Sequence, residues 1–231
     1  MTSQDVHLTK LLKTGNIRHR VPQFPSTPKT GLYRRVVKRA LDISLVLLSL
    51  PIILPIIALL ALIVSRNGGR PFYSQPRVGR NGAVFNMWKL RTMIHDADEV
   101  LETYLTDNPA MRTEWDTKQK LLEDPRVTPM GRFLRKSSID ELPQLFNVLR
   151  GDMSLVGPRP MMVDQREIYP GNDYFELRPG ITGLWQISDR NKTSFADRAF
   201  YDASYNQQLS LPTDVKILAA TVRVVLRGTG C

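Results

Sequence analysis

Residues 43–64 read ISLVLLSLPIILPIIALLALIV, a run of 22 positions without a charged side chain. At 1.5 Å per residue this makes ~33 Å of helix, against a bilayer hydrocarbon core of ~30 Å. Three arrangements are open to it: the core helix of a soluble domain, a true membrane span, or a re-entrant segment. The first is disfavoured because a helix apolar on every side has no face for water. A cleavable leader is also disfavoured, since a long polar stretch precedes the run and no small-residue cleavage pattern follows it. Pro51 and Pro55 each remove a helix N–H and crowd the preceding turn, so a break is expected near them. Arg34, Arg35, Lys38 and Arg39 precede the run, and Arg66, Arg70, Arg77 and Arg80 follow it, so positive charge does not orient a crossing. A helix that enters one leaflet, bends at the prolines and returns to the same face suits both flanks. Such a bend needs internal partners, for instance Ser49, for the carbonyls it frees.

Outward from this run the chain changes character. Residues 1–30 read as a weakly ordered extension, residues 31–66 as the membrane segment, and residues 67–231 as a cytoplasmic catalytic domain. Asn81-Gly82, between Phe72-Tyr73 and Val84-Phe85, has the composition of a hairpin turn. Residues 94–124 carry nine carboxylates against Arg112, Lys118 and Lys120, a local balance of −6. That stretch reads as a solvated acidic helical excursion. Val215, Leu218, Val222 and Val225 recur at helical spacing with Lys216, Arg223 and Arg227 between them, giving a basic amphipathic helix. It can rest at an anionic bilayer surface or pack its apolar stripe on the domain.

The 231 residues hold 32 Lys and Arg against 22 Asp and Glu, a formal charge of +10, of which +16 lies outside the acidic excursion. Such an excess calls for an anionic partner: nucleic acid, lipid head groups or a phosphorylated substrate. One cysteine, Cys231, and three scattered histidines, His7, His19 and His95, exclude a disulfide framework and a Cys/His zinc site.

The densest polar constellation is DPRVTPMGRFLRKSSIDELPQLFNVLRGDMSLVGPRP, residues 124–160. Within it Leu142, Leu145, Phe146 and Leu149 follow helical spacing, and Gly151 stands where a C-cap is expected, so a helix over 141–149 is predicted. Either Ser138, through a capping box with Glu141, or Asp140 itself begins it. Carboxylates at a helix start are favoured for capping and dipole reasons alone. Here Arg126, Arg132, Arg135 and Lys136 precede the pair and Arg150 and Arg159 follow it, so guanidinium forks and free helix N–H groups make a candidate phosphate site. Among so many cations both acids are expected to stay ionised at pH 7. Ionised carboxylates beside a bound phosphate suit either divalent metal binding or nucleophilic attack on phosphorus. No GxxxxGK[ST] loop or strand-GxGxxG-helix unit occurs, so neither a P-loop nor a Rossmann site is supported. Gly157, Gly180 and Gly183 read as turn glycines.

Five stretches carry a resemblance: KRALD at 38–42, RVGRNG at 77–82, KLRTM at 89–93, SSIDELPQLFNVLRGDMSLVGPRP at 137–160 and RPGITGLWQISDRN at 178–191. In order and spacing the chain resembles the bacterial sugar transferases, monotopic polyprenyl-phosphate phosphoglycosyl transferases that start surface polysaccharide assembly. The resemblance implies Asp140 as nucleophile and Glu141 as its partner, with Mg2+ at the pair. It implies phosphate or nucleotide contacts for Arg135 and Arg159, with Arg150, Lys89 and Arg91 as further candidates, and an acidic site position at Asp202. It also implies transfer of a sugar phosphate from a UDP-sugar to undecaprenyl phosphate at the cytoplasmic face of a bacterial inner membrane, releasing UMP. Downstream glycosyltransferases are implied partners, nucleic acid is not, and the acidic NPAMRTEW segment (108–115) points to exopolysaccharide initiators that load galactose phosphate. The family's membrane helix is re-entrant and breaks at a Ser-Pro pair; this chain has Leu54-Pro55 there, with Ser49 and Pro51 upstream. The alternative is a non-enzymatic, membrane-tethered binder of anionic lipid or nucleic acid. The expected fold is α+β and mainly helical: a monotopic membrane protein with a re-entrant helix broken near Pro51 and Pro55, a small hairpin and amphipathic interfacial helices.

Overall fold

The computed structural model describes residues 30–226 except 67, 95, 119–120, 122–123 and 189–194. The expected N-terminal extension, Arg227, Cys231 and the three histidines lie outside the described residues. A π-helical turn, Tyr33–Val37, leads directly into helix α1, Lys38–Ser65. This helix continues through both Pro51 and Pro55, so the expected break is absent from its hydrogen-bonded course. The loss is confined to two N–H donors in a 28-residue helix. Ser49 does not serve the carbonyl freed by Pro51, since its hydroxyl donates to Val46 O at 2.8 Å.

Although apolar on all sides, α1 uses one stripe for packing. Asp42, Val46, Ile57 and Val64 are buried, and Leu50, Ile53, Leu60 and Ala61 join the same clusters as partly buried neighbours. Steps of three and four residues put these on one line along the helix. Val46 packs with Met87, Leu145, Val148 and Met153, whereas Val64 packs with Leu90 and Leu134. Leu45, Leu48, Ile52, Leu59 and Leu62 face outward and are exposed. Only 11% of the most apolar window is buried, which removes the soluble core-helix reading.

The first turns of α1 are held by polar contacts. Asp42 accepts from Ser154 Oγ at 2.7 Å and Leu155 N at 3.2 Å, and Arg39 donates to Val148 O at 2.5 Å and Leu149 O at 2.9 Å. Lys38 and Tyr33 both reach Asp214, at 2.7 and 2.6 Å. The same carboxylate also accepts from the buried Tyr205 hydroxyl at 2.7 Å.

Strands β1, Phe72–Val78, and β2, Val84–Leu90, pair antiparallel from Phe72 opposite Leu90 to Val78 opposite Val84. Their turn is the one expected: Asn81 and Gly82 take positive φ of 58° and 77°. Helices α2, Ala97–Asp107, and α3, Pro109–Lys118, form the acidic excursion. It has a small core of its own, in which Leu101, Leu105 and Leu121 meet Tyr104, Met111 and Trp115. Helix α4, Pro129–Ser137, starts at Thr128, whose hydroxyl accepts from Gly131 N at 2.9 Å.

Helix α5, Gln144–Arg150, ends at Gly151 with φ 95°. Strand β3, Ser154–Val156, the short helix α6, Asp173–Glu176, and strand β4, Gly180–Thr182, follow. β3 and β4 pair in parallel, Ser154 opposite Gly180 and Val156 opposite Thr182. Gly157, Gly180 and Gly183 serve close approach rather than turning. A Cβ on Gly180 would stand 2.1 Å from Gly157 N, and one on Gly183 2.0 Å from Gly157 O.

Two helices complete the chain: α7, Asp197–Gln208, and α8, Leu211–Leu226. The apolar stripe anticipated on α8 is divided: Leu218 packs on the domain, whereas the valines stay outward. Val215, Val222 and Val225 are exposed, and Ile217, fully buried, supplies the inner contact beside Val156, Tyr201 and Tyr205. Among the described residues the fold is mainly helical, with two small sheets and one long apolar helix compatible with a monotopic membrane protein.

Candidate active site

Asp140 and Glu141 lie on a single 3-10 turn, Ile139–Glu141, between α4 and α5. This corrects the predicted helix start. Ser138 takes the left-handed conformation, φ 56°, to close α4 with its N–H on Arg135 O, and its side chain makes no capping bond. Pro143 stands immediately before α5, so the acids belong to the tight turn and not to the first turn of that helix. The turn aims both carboxylates at β2.

Lys89 of β2 reaches across to them. Its Nζ donates to Glu141 Oε1 at 2.8 Å and lies 3.9 Å from Asp140 Oδ2. Asp140 is only 6% exposed. Burial pushes its carboxyl up to about 6, Lys89 pulls it down, Glu141 pushes it up and Arg135 pulls it down. Asp140 is thus roughly nine-tenths ionised at pH 7, as expected, although burial raises its carboxyl by more than the nearby cations lower it. Glu141 keeps more contact with solvent and holds the lysine in place.

A cavity of about 130 Å3, lined by Glu141 and Lys89 but not by the more deeply buried Asp140, is strongly cationic. Arg77, Lys89, Arg159 and Arg198 line it, with Gln144 and Gln186 between them. Arg77 and Arg198 are buried, and burial lowers the basicity of both, further depressed by Arg159. Arg159 and Arg198 both lie against the Trp185 ring, at 5.7 and 5.3 Å from its centroid. Arg198 also donates to Arg159 O at 2.5 Å, fixing the Pro-Arg-Pro turn. Nε of Arg77, Nε of Arg198 and both amide atoms of Gln186 are buried without a hydrogen-bond partner among the described residues. The three N–H donors among these atoms, Nε of Arg77 and Arg198 and Nε2 of Gln186, call for an oxygen-rich, anionic ligand.

A second, larger cavity of about 530 Å3 opens beside the first. Glu141, Arg159 and Gln186 line both.

The remaining predicted residues fall in different places. Arg135 donates through Nε to Thr92 Oγ1 at 2.9 Å and acts on Asp140 through its charge. Arg91 instead ties the end of β2 to the chain beyond α1, donating to Val64 O at 3.4 Å and to Gly68 O. Arg150, at the far end of α5, is 70% exposed in its side chain and pairs with Asp152 at 3.5 Å, so it does not join the group. Asp202 lies behind the cationic cavity rather than in it. It accepts from Tyr169 Oη at 2.7 Å, and burial raises its carboxyl to about 7, with Arg198 opposing. Arg77, Gln144, Gln186 and Arg198 were not singled out from sequence. Arg77, Gln144 and Gln186 nevertheless sit inside the RVGRNG, SSIDELPQLFNVLRGDMSLVGPRP and RPGITGLWQISDRN stretches, whereas Arg198 carries no local signal.

The fold and site thus define a membrane-associated domain with a carboxylate pair beside a polycationic pocket. The family model for bacterial sugar transferases matches residues 33–228, and the chain belongs to that family. It is 46% identical over 198 residues to the undecaprenyl-phosphate galactose phosphotransferase of Salmonella typhimurium, covering 85% of this chain and 42% of that protein. The UDP-galactose-lipid carrier transferase of Erwinia amylovora shows the same identity and coverage. The exopolysaccharide production protein ExoY of Rhizobium meliloti is 44% identical over 208 residues, 87% of this chain and 92% of its own length. The chain therefore spans less than half of the first two relatives and nearly all of the third.

Proposed function

We propose that the protein is a phosphoglycosyl transferase that moves a sugar 1-phosphate from a UDP-sugar to undecaprenyl phosphate, the first membrane step of exopolysaccharide synthesis. The observation that carries this reading is the buried Asp140 carboxylate, bridged to Glu141 by Lys89, at the edge of a pocket lined by Arg77, Arg159 and Arg198. The guanidinium groups bind the diphosphate and neutralise charge that would otherwise repel an attacking carboxylate. An Asp140 oxygen attacks the β-phosphorus, the bond from that phosphorus to the bridging oxygen breaks, and UMP leaves with the oxygen and its electron pair. An oxygen of undecaprenyl phosphate then attacks the same phosphorus. The bond to Asp140 breaks, which restores the carboxylate and gives a sugar-diphospholipid.

Two adjacent carboxylates fit Mg2+, which commonly takes one or two protein carboxylates and completes its shell with phosphate oxygens and water. Asp140 and Glu141 would hold it, and no group of three or more metal-ligating side chains occurs among the described residues. When bound it supplies charge neutralisation on the diphosphate.

The membrane arrangement belongs to the same reading. Val46 near one end of α1 and Val64 near the other pack on one domain, about 27 Å apart along the helix axis. A straight crossing would carry one of them to the opposite side of the bilayer. This supports a re-entrant or interfacial α1 with the domain at the cytoplasmic face of the inner membrane, where UDP-sugars are. Galactose is the sugar favoured, because the printed names of two relatives specify galactose.

Purified protein in bilayer discs, given undecaprenyl phosphate and a panel of radiolabelled UDP-sugars, tests the proposal. The expected result is UMP release matched one to one by organic-soluble label, greatest with UDP-galactose. Free phosphate without lipid-linked label would mean a hydrolase and sink the reading.

A further inference from the structure

The second cavity is not used by the sugar-phosphate chemistry, yet it begins at the same residues. Its walls are mainly apolar, with Leu142, Leu145 of α5, Leu155 of β3, Ile181 of β4, and Leu218 and Val225 of α8, and the hydroxyls among them belong to serines and threonines such as Thr182 and Thr221. Its size, about 530 Å3, lies within the ordinary range for sites that enclose a small organic group. At its polar end stand Glu141, Arg159 and Gln186, shared with the cationic cavity. One continuous hollow thus passes from guanidinium groups to aliphatic side chains, past Glu141, the neighbour of the reacting carboxylate.

Resting on the transfer reaction proposed above, we infer that this apolar cavity seats the first isoprene units of the acceptor lipid, while its phosphate turns to Arg159 and Gln186 at the shared mouth. Three features select an amphiphile with a phosphate head. Charge complementarity fixes its direction, because Arg159 stands at the mouth and no charged side chain lines the walls beyond it. Gln186 is 8% exposed with both amide atoms unpartnered among the described residues, so a phosphate oxygen at the mouth satisfies its Nε2. The outer wall is α8, whose apolar stripe also carries Val215 and Val222, exposed beside the cavity-lining Leu218 and Val225. An apolar chain leaving the cavity past Val225 therefore enters a surface already suited to lipid. The occupant must place a phosphate next to Asp140 while its chain stays apolar, which the acceptor of the second half-reaction does.

The test uses the full chain in bilayer discs. Val225 is partly exposed at the cavity rim, so Val225→Trp narrows the hollow with little strain on the fold. The Michaelis constant for undecaprenyl phosphate should rise about tenfold, the scale for excluding about two buried methylenes, while that for the UDP-sugar and the acceptor-free burst of UMP stay at wild-type values. An unchanged acceptor constant overturns the inference. Independently, a benzophenone-bearing prenyl phosphate should crosslink to α8 or β4, and excess undecaprenyl phosphate should suppress the labelling. Label confined to α1, or equal suppression by phosphatidylglycerol, overturns it as well, the latter marking a general acyl-chain groove. Failure of the underlying reaction looks different: wild-type protein would then yield no UMP and no lipid-linked label with any sugar, whatever the crosslinking pattern.

Discussion

Asp140 has been moved away from water and toward cations at once, and the balance between the two sets its chemistry. Burial lifts the carboxyl to about 6, so the folded protein binds a proton there more readily than the unfolded chain, where an aspartate titrates near ~3.9. The associated stability is present below that unfolded value and is lost as the pH rises toward the folded one, so at pH 7.5 the ionised side chain costs stability. Asp140→Asn should consequently abolish UMP release and lipid labelling, yet raise the melting temperature at pH 7.5 by a few degrees, with the gain vanishing near pH 4. Calorimetry alongside the transfer assay checks this; measurable turnover by the variant, or an equal gain at both pH values, would contradict it. The acidic pair was legible in the sequence because both residues stand in one motif among cations. Its electrostatics were not legible, because burial outweighs charge here, and both the burial and the opposing charge of Lys89 come from packing that the local motif does not show. The same limit hid Arg198, whose place beside Arg159 comes from packing across Trp185.

At the scale of the element, α1 shows which properties of an apolar helix sequence can reveal. Its existence and length followed from composition. Its packing stripe did not, since a helix apolar on every side offers no contrast between faces. The decisive marker was polar: Asp42 and Arg39 are bound to β3 and to the end of α5, and they set the rotation of everything after them. The expected break is absent, for the helix stays hydrogen-bonded on both sides of the two prolines. If the two ends of α1 share one side of the membrane, Arg70, exposed just beyond its end, lies on the cytoplasmic side. Arg70→Cys in a chain carrying Cys231→Ser should resist an impermeant thiol reagent added to intact spheroplasts and react after lysis. Reaction in intact spheroplasts would establish a crossing and remove the re-entrant arrangement.

For the whole molecule, the net charge of +10 is distributed by function rather than spread evenly. Arg77, Lys89, Arg159 and Arg198 converge on one pocket, and the carboxylates of α2 and α3 are gathered into an excursion with its own small core. Among the described residues, the apolar side chains left outward include the flank of α1 through Leu45, Leu48 and Ile52, and the stripe of α8 through Val215 and Val222. Burying either in lipid is favoured by ~25 cal/mol per Å2, whereas the acidic excursion is repelled by anionic head groups. A domain attached through α1 alone would be free to tilt; attachment through α8 as well holds the active site at a fixed height above the head groups. That height matters, because the acceptor phosphate cannot leave its own interfacial plane. A bimane label at Val222→Cys, in the Cys231→Ser background, should accordingly be quenched by brominated lipid, while the same label at Arg112→Cys on the excursion should not. Quenching at neither position would show that α8 stays in water and that the domain hangs from α1 alone. Equal quenching at both would place the acidic excursion against the bilayer, contrary to its charge.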